Sequence, residues 1–79
     1  MIDTEGRHPS TQQAARWFDF DHLPAGTKRR KTSALCHDLA ADLISSLNDG
    51  PELTLALRSL EQAKNYAVHQ AILDEEADM

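Results

Sequence analysis

The chain predicts an all-α fold: a short N-terminal helix, then a long antiparallel αα-hairpin, joined into an oligomeric helical assembly. Three observations carry this expectation. Leu35, Leu39, Leu43 and Leu47 recur every four residues, the spacing of one helix face. Asn48-Asp49-Gly50-Pro51-Glu52 breaks two helical patterns so briefly that the flanking helices must fold back on each other. No segment alternates with the period of two that marks a strand.

The first helix opens in Pro9-Ser10-Thr11-Gln12-Gln13. Ser10 is the expected N-cap, with Gln13 three residues on as its capping-box partner. The helix runs to about Phe20 and stops before Pro24, because a proline pushes the preceding Leu23 out of the helical region. Two or three turns are marginal alone in water, so its aromatic end must dock on something.

The second helix opens near residues 25–28 and runs to Leu47 or Asn48. Its leucine row is flanked by Cys36, Ala40 and Ile44, with Asp38, Asp42 and Ser46 opposite. Gly50 is placed to end it in the left-handed conformation. Asp49 is placed to cap the third helix, with Pro51 in the first turn and Glu52 behind it.

The third helix spans about Pro51 to Leu73. Leu53, Leu57, Leu60, Ala67 and Ala71 form its seam, with Lys64 at a seam position where an apolar residue is expected. Ala56, Ala63, Ala67 and Ala71 permit close helix approach. A second row, Leu55, Val68 and Ile72, exceeds what one hairpin and one short helix cover, and is read as a subunit interface. Residues 1–7 and 74–79 fall outside the ordered body, and the hairpin covers about 25–73 of a single domain, 1–79.

Seventy-nine residues supply a core worth only about 3–5 kcal/mol. Chains of this size gain the rest from disulfides, metal or association. The single Cys36 forms no internal disulfide and reads as a small buried hydrophobe. Met1-Ile2-Asp3-Thr4-Glu5 lacks the basic and apolar regions of a secretory signal, and no apolar run reaches the length of a membrane span. The expected compartment is the cytoplasm, with no membrane partner.

The net charge is −5, from eight basic and thirteen acidic residues. That balance argues against polymeric nucleic acid as a partner. Its distribution is uneven: Lys28, Arg29, Arg30 and Lys31 hold half of the basic charge. Just before them, Trp17, Phe18 and Phe20 hold three of the four aromatics within four positions. Flat apolar faces beside a cationic block suit a ligand of bases and phosphates. The competing reading makes the aromatics a core plug and the basic run a solvated loop.

Other chemistries lack support. His8, His22, His37 and His69 do not share a helix face at ligand spacing, so no metal is expected. No glycine-rich phosphate loop is present, and no cofactor is expected. Asp19 and Asp21 flank Phe20, but exposed acids in a short helix are ordinarily solvated. An enzyme needs a water-excluding cleft that so small a chain hardly forms alone. The second and third helices are too long, and too directly joined, for a helix-turn-helix DNA reader.

His8-Pro9-Ser10-Thr11, then Trp17-Phe18-x-Phe20-Asp21-His22-Leu23-Pro24, then Leu39-Ala40, then Gly50-Pro51-Glu52-Leu53-Thr54-x-Ala56-Leu57-Arg58-x-Leu60-x-x-Ala63-Lys64-x-x-Ala67-Val68 resembles a phage family. This is the family of cyclic-nucleotide sponges called anti-CBASS protein two, whose helical hairpin is shared with an anti-Thoeris sponge. The resemblance spans roughly residues 8–73. It implies small helical chains interlocked as hexamers that bind cyclic di- and trinucleotides uncleaved and starve a host immune effector of its signal.

The resemblance further implies a dinucleotide site between subunits, held by an aromatic and a lysine. Here these are one of Trp17, Phe18 or Phe20, with Lys28 or Lys31. A separate trinucleotide pocket would use Lys64 and Arg58. His69 stands where the family pattern has an arginine, and a neutral histidine clamps phosphate less well. Each residue also has a plainer role open to it. His22 caps the turn before Pro24 or touches ligand. Arg58 pairs with Glu61 or Glu52 on its own helix, or contacts phosphate. Lys64 needs a neighbouring subunit's carboxylate or a phosphate as its partner. The reading from a different class is a small helical module that binds a host protein through its surplus apolar face.

Overall fold

The computed structural model describes residues 2–78. Among them are helices α1 (Pro9–Ala15), α2 (Lys28–Ser46) and α3 (Pro51–Ala77), with a 3-10 turn, Arg16–Phe18, after α1 and no strand. A 27-residue helix spans about 40 Å at 1.5 Å per residue. Thus α3 sets the long axis of a body measuring 44 × 20 × 17 Å.

The core lies where α1 meets α2 and α3. Ala14, Ala15 and Phe18 pack with Ala40 and Ile44 of α2 and Leu53 and Leu57 of α3. Trp17, Cys36, Leu43 and Leu60 close around this cluster. Phe18 and Leu57 are fully buried. The short first helix is therefore held by its docked end, as its marginal length requires.

Residues 2–7, expected outside the ordered body, form an arm that belongs to the core. Ile2 is buried among the cluster residues. The Arg7 guanidinium donates to the Ile44 carbonyl, to the Leu47 carbonyl at 2.7 Å and to the Asp49 carboxylate at 2.9 Å. Asp49 also accepts from the His8 backbone N–H at 2.9 Å and the Thr11 hydroxyl at 2.8 Å. One carboxylate thus ties the arm and α1 to the α2–α3 link. Met1 and Met79 lie outside the described residues.

The same contacts revise the caps. Asp49 does not cap α3, because its oxygens serve Arg7, His8 and Thr11. Gly50 is the N-cap without a side-chain bond, and its φ of 167° is extended rather than left-handed. Pro51 opens α3 as expected. The N-cap of α1 is His8, not Ser10. The following Pro9 keeps His8 extended, and its Nδ1 accepts from the Ser10 backbone N–H at 3.1 Å.

α1 is also shorter than expected. The backbone tightens to 3-10 geometry at Arg16 and turns extended at Asp19, so Phe20 is outside any helix. α3, by contrast, continues past Leu73 to Ala77. Acidic residues oppose the dipole at a helix C-terminus. Here Lys28 and Arg29 offset them, lying 3.6 Å from Asp74, Asp78 and Glu75.

The buried face of α2 is one position away from the leucine row. Ser33, Ala40 and Ile44 are buried, whereas Leu35 and Leu39 are 65% and 49% exposed. Adjacent helix positions differ by about 100°, and the small residues let α1 and α3 approach closely. Leu47 is likewise exposed. On α3, Leu53, Leu57 and Ala71 are buried, while Ala67 is exposed. Leu55 is exposed, and Val68 and Ile72 are half-buried. Tyr66 and Leu73 extend the exposed apolar surface.

Candidate functional site

The four-cation block does not act as a unit. Lys28 faces Asp74 and Asp78, and Arg29 faces Glu75. The Glu75 carboxylate also accepts from the Arg29 backbone N–H at 3.4 Å, adding negative charge at the start of α2. Arg30 turns to the preceding loop. Its Nη1 donates to the Leu23 carbonyl at 2.7 Å and the Asp21 carbonyl at 3.2 Å. Its Nη2 lies 3.7 Å from the Asp21 carboxylate. Among the described residues, Lys31 alone of the four has a side chain that makes no ion pair or hydrogen bond.

Local sequence explains this arrangement. Leu23 N–H donates to the Phe20 carbonyl, closing a turn. The Thr27 hydroxyl donates to the Pro24 carbonyl at 2.7 Å and accepts from the Arg30 backbone N–H at 3.3 Å. Thr27 is thus the N-cap that starts α2 at Lys28. Between them Gly26 has φ +78°, a conformation glycine adopts without steric cost.

Phe20 is held over this turn. The Arg30 guanidinium carbon stands 5.2 Å from its ring centroid. The His37 ring meets it edge-on, with centroids 5.0 Å apart. Phe20, Gly26, Thr27, Arg30, Lys31 and Ala34 line a recess of about 250 Å³. Phe20, Arg30 and Lys31, the last with an unengaged ammonium, therefore line one concave surface.

The other aromatics and cations serve the body of the fold. Phe18 is fully buried, so its ring is not presented to solvent. The Lys64 ammonium donates to the Trp17 carbonyl and stands 5.6 Å from the Phe18 ring centroid. Its partner is therefore an orphan carbonyl at the end of the 3-10 turn, within the same chain. Arg58 stands 5.7 Å over the half-buried Trp17 ring rather than beside Glu52 or Glu61. His22 and His69 are exposed. Arg30 does the turn-capping expected of His22, because a guanidinium fork reaches two carbonyls at once.

Cys36 is half-buried. Burial pushes its thiol above the ordinary value, with the nearby Lys64 charge opposing. That environment disfavours the thiolate a nucleophile needs. Among the described residues, no three His, Cys, Asp or Glu side chains gather as metal ligands. No described helix is long and apolar enough to cross a membrane.

Of the nine residues expected at a ligand, Phe20 and Lys31 meet at the recess. Lys28 is near it in sequence but faces the end of α3. Trp17, Phe18, Arg58 and Lys64 meet elsewhere, between the 3-10 turn and α3. The roles of Arg30 and His37 beside Phe20 were not legible in the sequence, since neither follows from a helix period. No known protein family, curated protein or solved structure matches the chain.

Proposed function

We propose that this protein sequesters a cyclic dinucleotide second messenger without cleaving it, as a phage anti-defence protein acting in the host cytoplasm. The observation that supports the reading is the recess itself. It offers the Phe20 ring for a base and the Lys31 ammonium for a phosphate, with Arg30 beside both. Stacking and charge then act on a ligand small enough to be held by few contacts.

In this reading α2 and α3 form an antiparallel hairpin that presents the recess, and a second copy completes the site. A volume of about 250 Å³ is below the roughly 300–1,000 Å³ of pockets that enclose a drug-sized ligand. One chain thus supplies one wall. Exposed Leu35, Leu39 and Leu55 favour burial against further copies, with a hexamer implied by the family resemblance. A cyclic trinucleotide is a weaker fit. Arg58 and Lys64 are engaged with Trp17 and Phe18, and His69 is a poorer phosphate clamp than arginine.

Calorimetric titration with a panel of cyclic dinucleotides tests the reading. Phe20→Ala is expected to weaken binding by about 1–3 kcal/mol. Lys31→Ala is expected to cost about 1.5–3 kcal/mol, an effect that shrinks as salt rises. If the double variant stays assembled and binds every cyclic dinucleotide as the wild type does, the recess is not the site.

Two further measurements bear on the proposal. Light scattering is expected to give a mass several times the 8.8 kDa chain, and a stable monomer would remove any site built between copies. Ligand recovered after denaturation is expected to be chromatographically intact, and product formed in proportion to protein would identify an enzyme instead. The exposed Leu35 and Leu39 also favour a second reading, a module that docks on a host protein. Stabilisation by that protein, with no response to cyclic nucleotides, would select it.

A further inference from the structure

Two distant parts of the sequence, the basic start of α2 and the acidic end of α3, meet in the fold. Lys28 lies 3.6 Å from both Asp74 and Asp78. Arg29 Nε lies 3.6 Å from Glu75, and its backbone N–H donates to the same carboxylate. Asp74 is further oriented by the Gln70 amide at 2.8 Å. Exposed ion pairs at this distance contribute little to stability. Lys28 and Asp74 are 48% and 42% exposed, so their pairing adds little to folding energy.

Its electrostatic effect falls on the cations at the start of α2. Lys28, Arg29 and Lys31 together would present three cations within one helical turn, a positive patch of the kind that grips a nucleic-acid backbone. The α3 carboxylates place a negative charge beside the first two and leave Lys31 unengaged. An approaching phosphate chain then meets one available cation and several carboxylates.

We infer that the acidic end of α3 is a built-in polyanion screen: it masks Lys28 and Arg29 and so restricts the Phe20–Lys31 recess to compact anions. The masking itself stands apart from the proposed function, and only the restriction to compact anions rests on it. A sponge for a small cyclic messenger works in a cytoplasm crowded with nucleic acid. Open cations would be titrated by that polymer, because its binding is driven by counterion release at each neutralised phosphate.

The test uses the full chain and a fluorescein-labelled oligodeoxythymidylate, read by fluorescence anisotropy at low salt. The variant is Asp74→Asn/Glu75→Gln/Asp78→Asn. It is expected to bind the oligonucleotide roughly tenfold or more tighter than the wild type, with affinity falling steeply as salt rises. Adding Lys28→Ala and Arg29→Ala to that variant is expected to abolish the gain.

Circular dichroism establishes that the triple variant is folded. If it is not, Asp74→Asn/Asp78→Asn, which leaves Glu75 on the Arg29 backbone N–H, reports the same gain at smaller amplitude. A folded variant that binds the oligonucleotide no more tightly than the wild type overturns the screen. So does a gain that survives loss of Lys28 and Arg29. Titrating the triple variant with a cyclic dinucleotide separates the two proposals. Oligonucleotide binding without any dinucleotide binding, in variant and wild type alike, leaves the masking standing and rejects the sponge.

Discussion

Phe18→Ala is expected to lower unfolding stability by about 3–5 kcal/mol, the cost of emptying an aromatic site in a packed core. Phe18 is fully buried and stands at the junction of all three helices. It also offers its ring to Lys64. A core of this size supplies only about 3–5 kcal/mol in total, so the variant is expected to be largely unfolded at 25 °C. Urea denaturation followed by circular dichroism measures this. A cooperative transition within 1 kcal/mol of the wild type, a limit set by the about 3 kcal/mol floor for such truncations, would show that Phe18 is not the keystone. Phe20→Ala is the contrasting probe. Its ring is only half-buried at the recess, so it is expected to spare the fold.

The second large effect is expected at the arm. Arg7→Ala removes three donors, to the Ile44 and Leu47 carbonyls and to Asp49. The expected loss is about 2–3 kcal/mol, in the range for hydrogen bonds with a charged partner. Arg7→Lys is expected to recover little of it, because one ammonium cannot span three acceptors that a planar fork reaches together. Thermal melts of both variants decide the point, and full rescue by lysine would reject the fork argument. Limited proteolysis is expected to cut residues 2–8 early in Arg7→Ala, since Arg7 supplies the arm's charged anchor to the α2–α3 link.

The same latch makes a pH prediction. The His8 backbone N–H, then the Thr11 hydroxyl, and then Arg7 hold the Asp49 carboxyl below the usual carboxylate range, against some desolvation. A group whose folded value is depressed stabilises the fold above its unfolded value, about 3.9 for aspartate. That contribution is lost as pH falls through the folded value. Melting temperature measured from neutral to acid is therefore expected to fall more steeply below pH 4 for the wild type than for Asp49→Asn. Parallel acid limbs for the two proteins would show that Asp49 is not a source of the acid sensitivity.

By itself, the sequence determined the helical class, the three helices and a break around residues 48–52. These rest on local physics: a 3.6-residue apolar period, prolines that begin or forbid a helix, and glycine at a turn. It also located the aromatic and basic cassette that contains Phe20 and Lys31, because composition alone exposes such a cluster. Only the tertiary structure decided how that cassette divides. Trp17, Phe18 and Phe20 are equivalent as letters, yet the end of the 3-10 turn sends Phe18 inward and Phe20 to the recess. Lys28, Arg29, Arg30 and Lys31 are consecutive, yet three of them are claimed by carboxylates from Asp21 and from Asp74 to Asp78. The face of α2 that is buried was likewise set by close approach of its neighbours, which favours Ala40 over Leu39. Asp49 shows the same limit in one residue: its place before Pro51 fits a cap, but Arg7, about forty positions away, claims it first. Partners so distant in sequence leave no periodic trace, so only folding reveals them.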